Sequence, residues 1–298
     1  MSLPPPSLPL RLGGRVFGPG ELLVMAIVNR TPDSFYSGAR QFDPVRAADA
    51  VAQAVAEGAD LVDIGGVPAG PGPDVDAHEE LRRVGPFVAD MRGAHPNLLI
   101  SVDTWRAEVA EEACAAGAAL VNDTWAGHDP RLPGVAAKYG AGLVCSHTGG
   151  AAPRTLPHRV SYGRTPDAVV DEVLTSLLNA QRQASAAGVP PESILLDPTI
   201  DFGKNTWHGL SLLRRMELFN GFDSPVMLSI SRKDIVGEVL GVGVKDRLEG
   251  TLAATSVAAW LGVKVFRAHD VLQTRRTLDM VTAIRGEKAP LAPLRGLA

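Results

Sequence analysis

Eight short apolar runs, each followed by a segment long enough for a helix, set the strongest constraint on this chain. They are LLVMAIV (22–28), ADLVDIGG (59–66), LLISVD (98–103), ALVND (119–123), AGLVCSH (141–147), ILLDP (194–198), PVMLSIS (225–231) and VKVFRAH (263–269). Runs that stay apolar through successive positions fit strands buried on both faces, the pattern of a parallel sheet covered by helices. The intervening stretches PVRAADAVAQAVAEG, TWRAEVAEEACAAG and DAVVDEVLTSLLNAQRQASAAG carry apolar residues at helical spacing and end on glycine. Eight such units predict an α/β fold, a (β/α)8 TIM barrel in a single domain. No GxGxxG follows the first run, which ranks an open doubly wound sheet well below the barrel.

The chain has 298 residues, of which 45% are apolar, and this is enough for one sizeable core. The barrel is expected over residues 21–286, between a loose Pro-rich start (1–20) and a tail (287–298). A net charge of −4 argues against recognition of nucleic acid or a membrane surface through bulk charge. MSLPPPSLPLRLGG lacks the basic and apolar segments of a secretory signal, and no run approaches the ~20 residues of a membrane span. Cys114 and Cys145 offer neither a disulfide framework nor a metal spacing. A cytoplasmic location is the expectation.

The ends of the runs carry the functional signal. Asn29, Asp63, Asp103, Asn122, His147, Asp197, Arg232 with Lys233, and Arg267 with His269 all stand at or near a strand's carboxyl end. In a barrel those ends form the functional face. Any one such residue is as readily a helix cap or turn former as a ligand group. Eight on one rim describe a ring of directed hydrogen-bonding groups, hence a ligand site. Carboxylates and amides on a pocket floor suit a heterocycle with adjacent NH donors, because planar groups pair two bonds at once. Lys233, Arg267 and Arg232 suit an electron-rich ring or an anionic leaving group. The seven histidines include no HxH or HExxH pair, which excludes the common zinc-hydrolase pattern.

Seven motifs in order then carry a resemblance: MAIVNRTPDSF (25–35), GADLVDIGG (58–66), SVDTWRAEVA (101–110), LVND (120–123), LLDPTIDFGK (195–204), SISRK (229–233) and RAHDV (267–271). Over residues ~20 to 285 the chain resembles the dihydropteroate synthases, which join a dihydropterin pyrophosphate to p-aminobenzoate in folate synthesis. The resemblance implies that Asp103, Asn122 and Asp197 hydrogen-bond the pterin ring. Lys233 would reach the ring carbonyl and N5, and Arg267 would cover the ring face. Phe202 and Ser231 join the substrate-binding set. Asn29 and His269 would hold the pyrophosphate, with Mg2+ beside Asn29. Lys233, Arg267 and His269 are the candidate catalytic residues, and a homodimer formed through late helices is implied by the family.

The same comparison exposes departures. Where the family reads Gly-Gly-Glu-Ser-Thr-Arg-Pro-Gly, this chain reads Gly65, Gly66, Val67, Pro68, Ala69, Gly70, Pro71, Gly72. In the first loop, Ser37 stands in place of an aspartate, and Arg30 in place of a small apolar residue. Thr199, Ile200 and Asp201 replace Gly-x-Gly after Asp197 and Pro198, and Ser146 and Thr148 replace methionines around His147. The floor residues stand while both loops are rewritten. The favoured expectation is a synthase-like protein with a retained pterin floor and little or no synthase activity. The alternatives are an active dihydropteroate synthase, and a non-catalytic pterin- or heterocycle-binding protein or partner subunit. A pterin-binding methyltransferase domain is disfavoured by SISRK and RAHDV.

Overall fold

A computed structural model describes residues 7–31, 43–156, 160–165 and 167–295. A small antiparallel hairpin, β1 (Leu10–Leu12) and β2 (Arg15–Phe17), precedes eight parallel strands. These are β3 (Leu23–Asn29), β4 (Leu61–Gly65), β5 (Leu99–Asp103), β6 (Leu120–Asp123), β7 (Gly142–Ser146), β8 (Ile194–Asp197), β9 (Met227–Leu228) and β10 (Val265–Ala268). Around them lie α1 (Pro44–Ala56), α2 (Ala77–Ala94), α3 (Ala107–Ala115), α4 (Leu132–Tyr139), α5 (Ala168–Ala186), α6 (Thr206–Arg214), α7 (Asp234–Leu240), α8 (Leu248–Trp260) and α9 (Val271–Ile284).

The strands pair in the order β8-β7-β6-β5-β4-β3-β10-β9. A bridge between Leu196 and Val226, with the Leu196 N–H on the Pro225 carbonyl at 2.9 Å, joins the two outer strands and closes the barrel. This is the (β/α)8 barrel that the apolar runs predict. Each run alternates: Val24, Ala26 and Val28 pack outward in the main core, whereas Leu23 and Met25 belong to a second cluster with Leu61, Leu99, Leu120, Leu195 and Val265. That second cluster fills the barrel interior, because successive side chains on a strand face opposite sides.

The chain start requires a correction. Residues 10–17 are not loose: Leu10, Leu12 and Phe17 are buried in the interior cluster. Alternating apolar residues aim one face of the hairpin into the barrel's amino end. The turn is Gly13-Gly14, with φ of 54° and 76°, the left-handed pair that a tight two-residue hairpin requires. The buried Lys264 ammonium donates to the Gly18 carbonyl and fastens the segment between the hairpin and β3. Among the described residues, no helix is long and apolar enough to cross a membrane.

Candidate functional site

The carboxyl ends of the strands deliver a layered polar cluster. Asp63, fully buried on β4, is its hub. Ser101 Oγ donates to Oδ1 at 2.6 Å, while Asn122 Nδ2 and Arg267 Nε donate to Oδ2 at 2.9 and 2.6 Å. Arg267 also gives a second bond, from Nη2 to Asp103 Oδ2 at 2.8 Å, and Thr124 Oγ1 donates to Asp103 Oδ1 at 3.2 Å. The register sets this up: Asp63 pairs with Ser101, and Asp103 lies level with Gly65 and Asn122. Burial pushes the Asp103 carboxyl up to about 7, against the pull of Arg267 and with a further push from Asp63. Burial opposes the Arg267 charge too, but the two carboxylates outweigh it and hold the guanidinium firmly protonated. Asn122 is fully buried, and its Oδ1 has no hydrogen-bond partner among the described residues.

On the other side, Asp197 at the end of β8 accepts from the Thr199 N–H at 2.7 Å and from Ser229 Oγ at 3.2 Å. Burial pushes its carboxyl up, against Lys233. Thr199 holds a left-handed φ of 48°, a strained conformation for a β-branched residue that the Asp197 contact maintains. Lys233 Nζ lies 2.5 Å from Asp201 Oδ1 and 5.3 Å from the Phe202 ring centroid. Ser231 Oγ lies 3.1 Å from His269 Nδ1. Burial, then the Arg267 charge, pushes the His269 imidazole down to about 4, so it is neutral at pH 7.

Asp103, Thr124, Asp197, Lys233, Arg267 and His269 line a cavity of about 300 Å3. Trp105, Trp125 and Phe202 form one aromatic wall, with Phe202 edge-on to Trp125 at 4.7 Å. Val67, Pro68, Ala69 and Gly70 form part of the lip and bring no charged or hydroxyl group to it. That lip is held through its backbone. Arg83 donates to the Gly66 carbonyl at 2.9 Å, and Arg154 donates to the Gly70 and Pro73 carbonyls at 3.2 and 2.6 Å. Arg30 is buried, with its guanidinium 4.7 Å from the Phe87 ring centroid, so it packs against α2. Lys204 is buried too, donating to the carbonyls of His147, Thr199 and Phe202.

Asn29, Asp103, Asp197, Phe202, Ser231, Lys233, Arg267 and His269 all border the cavity, whereas Asn122 does not: it lies buried beneath it, bonded to Asp63, which supports Arg267 from below. His147 stays outside: it is buried, and its backbone carbonyl serves Lys204. Arg232 is a corrected reading. It reaches the cavity wall, but its guanidinium is spent on Asp270 at 2.7 and 2.8 Å and on the Val244 and Lys245 carbonyls. Of the departures in the first loop, Arg30 is turned away onto α2, while Ser37 lies outside the described residues. Asp63 was readable only as one strand ending among eight; its position as hub depends on cross-strand register. Asn29 offers a single amide oxygen, and no three His, Cys, Asp or Glu side chains gather elsewhere among the described residues to hold a metal.

The pterin binding enzyme family model matches residues 25–269. The inactive dihydropteroate synthase 2 of Mycobacterium tuberculosis is 56% identical over 287 residues, covering 96% of this chain and 90% of that one. The chain belongs to the dihydropteroate synthase family. Within it, the dihydropteroate synthase of Bacillus subtilis is 36% identical over 266 residues, covering 89% of each chain. A solved dihydropteroate synthase of Coxiella burnetii in complex with pteroic acid is 29% identical, covers 95% of this chain and all of that one, and gives a TM-score of 0.83. This is a divergent branch of the dihydropteroate synthase family, sharing more with relatives named inactive than with the B. subtilis enzyme.

Proposed function

We propose that the chain binds a pterin-like ligand on a retained dihydropteroate synthase floor and has little or no synthase activity. One contrast carries the proposal. Asp103, Asp197, Lys233 and Arg267 form a polar floor, braced from beneath by Asp63 and Asn122, while the lip at 67–70 offers only Val, Pro, Ala and Gly. Asp103 and Asp197, both on the cavity wall, are carboxyls suited to the ring's NH groups. Arg267 and the indole of Trp125 both line the cavity that would receive the ring. Condensation further requires groups that hold the leaving pyrophosphate and exclude water as charge separates. Pro68 and Pro71 remove two N–H donors from the segment where polar side chains are already missing.

Mg2+ belongs to this reading only as an ion delivered with pyrophosphate, taking Asn29 as one oxygen donor; the described residues of the site build no cage of their own. A homodimer is supported by exposed Val257, Met280 and Ile284 on the packed helices α8 and α9. The two buried free cysteines fit a reducing, cytoplasmic setting. Calorimetric titration of a pterin into the wild-type chain and Asp197→Ala tests the reading. We expect at least tenfold weaker binding in the variant, because a hydrogen bond to a charged or polarised carboxyl contributes ~1.5–3 kcal/mol. Equal affinity, with Asp197→Ala folded, would show that the floor does not hold the ring.

A further inference from the structure

The stretch from Gly66 to Val75, between β4 and α2, is fastened through its backbone by three arginines. At its ends, the Gly66 carbonyl accepts from Arg83 Nη1 at 2.9 Å and the Val75 carbonyl from Arg106 Nη2 at 2.7 Å. Both arginines are pinned in turn, Arg83 by Glu79 at 2.7 Å and Arg106 by the buried Glu80. The middle belongs to Arg154, whose Nε donates to the Gly70 carbonyl at 3.2 Å and Nη1 to the Pro73 carbonyl at 2.6 Å. Its guanidinium sits against Gly72, where a Cβ would fall 3.0 Å from Nη2. Pro68, Pro71 and Pro73 fix three φ angles in the same stretch. Arg154 is no part of the cavity wall; it arrives from the segment after β7, which is braced on the loop that carries Phe202. Lys204 Nζ donates to the His147 and Phe202 carbonyls at 2.8 and 3.1 Å, and a Cβ at Gly203 would fall 1.9 Å from the Thr148 carbonyl oxygen, so the two backbones touch. Thr148 then closes a turn over Gly149 and Gly150, its hydroxyl donating to the Ala151 carbonyl at 3.3 Å and its carbonyl accepting the Ala151 N–H at 3.2 Å. A methionine at 148 has no hydroxyl to give. Arg154 itself has a φ of 62°, a left-handed conformation that a residue other than glycine keeps only where its surroundings hold it.

We infer that Arg154 is a positioning residue that latches the lip as a preformed wall of the ligand cavity and so slows the escape of a bound pterin. The inference rests on the proposed pterin-binding reading and goes beyond it in naming what orders the lip. Val67, Pro68, Ala69 and Gly70 border the cavity without a polar side chain to anchor them, so their order depends on what grips the backbone. A planar guanidinium suits that task because it serves two carbonyls at once, whereas an ammonium is a single point of charge. A lip that is already ordered costs no further entropy when the ligand enters.

Two measurements on the wild-type chain, Arg154→Ala and Arg154→Lys test this. The first is the 15N relaxation order parameter of the Val67, Ala69, Gly70 and Gly72 amides. The second is the dissociation rate of 6-hydroxymethylpterin, followed by stopped flow through the fluorescence of Trp105 and Trp125 on the cavity wall. Wild-type order parameters should lie near the rigid value of about 0.85 and fall below about 0.6 in Arg154→Ala, with the melting curve unaltered. The pterin should leave Arg154→Ala at least about tenfold faster, as expected for losing hydrogen bonds from a charged group. Arg154→Lys should lie between the two in both measurements. Order parameters unchanged in Arg154→Ala would overturn the latch. A mobile lip with an unchanged dissociation rate would overturn its part in retaining the ligand. Pterin binding to neither protein would overturn that part together with the pterin reading, while the order parameters would still decide the latch.

Discussion

Replacing Arg267 with leucine should destabilise the protein in a way that grows with pH. The guanidinium makes bonds of 2.6 and 2.8 Å to two different carboxylates, Asp63 being fully buried and Asp103 mostly so. Leucine leaves Asp63 with Ser101 and Asn122, and Asp103 with Thr124, but among the described residues removes the only opposite charge bonded to either. Breaking one side of a buried ion pair costs about 3–5 kcal/mol. At roughly 2–4 °C per kcal/mol for a chain of this size class, the melting temperature should fall by about 6–20 °C at pH 8. Asp103 is already pushed up to about 7, and losing Arg267 removes the influence that holds it down. Between its unfolded value and this raised folded value, the native state binds the extra proton, so stability is lost as pH rises. The deficit should therefore be smaller at pH 6 than at pH 8. Adding Asp103→Asn to the leucine variant should recover part of the loss at pH 8. Thermal melts at both pH values provide the assay. A variant that melts like wild type at pH 8, or with a deficit independent of pH, would refute this account of the floor.

Two further outcomes follow from buried groups. The His147 and His269 imidazoles, pushed down by burial to about 3 and about 4, should stay neutral at pH 5.5 by NMR, where an unfolded histidine is charged. Because their folded values lie below the unfolded one, each contributes stability above pH ~6.5 that is lost as pH falls toward the folded value; a charged ring at pH 5.5 would contradict the burial argument. Leu12→Ala, in the hairpin that plugs the barrel, should cost about 2–5 kcal/mol in denaturant unfolding, and a change under ~0.5 kcal/mol would show that the hairpin is not part of the core.

The barrel was legible because its signal is repeated: eight apolar runs cannot easily be misread together, and their polar endings mark one rim whatever the exact strand boundaries. The hairpin was less legible than its residues allowed. Leu-Arg-Leu-Gly-Gly-Arg-Val-Phe carries alternation around a two-glycine turn, but proline-rich flanking sequence masked it, and only the barrel's open amino end supplies the partner surface. Asp201 could be singled out as a new carboxylate, yet its meeting with Lys233, 32 positions away, depends on how two loops converge. The same holds for Asp63 and Arg267, whose contact spans 204 positions and is set by β4 and β10 flanking β3. Arg232 shows the opposite limit: a cation at a strand end reads as a ligand group until its carboxylate and carbonyl partners are seen.

The central claim is that the floor is kept while the chemistry is lost, and turnover measures this most directly. Dihydropterin pyrophosphate and p-aminobenzoate should be condensed by the wild-type chain at least ~100-fold more slowly than by a family member with the polar second loop, or not detectably. Two transition-state contacts of ~1.4 kcal/mol each are enough for that factor. Introducing Glu-Ser-Thr-Arg at positions 67–70 together with Ser37→Asp should raise the rate above the wild-type value. Wild-type turnover within a few-fold of the intact relative would contradict the account and identify the chain as a working synthase.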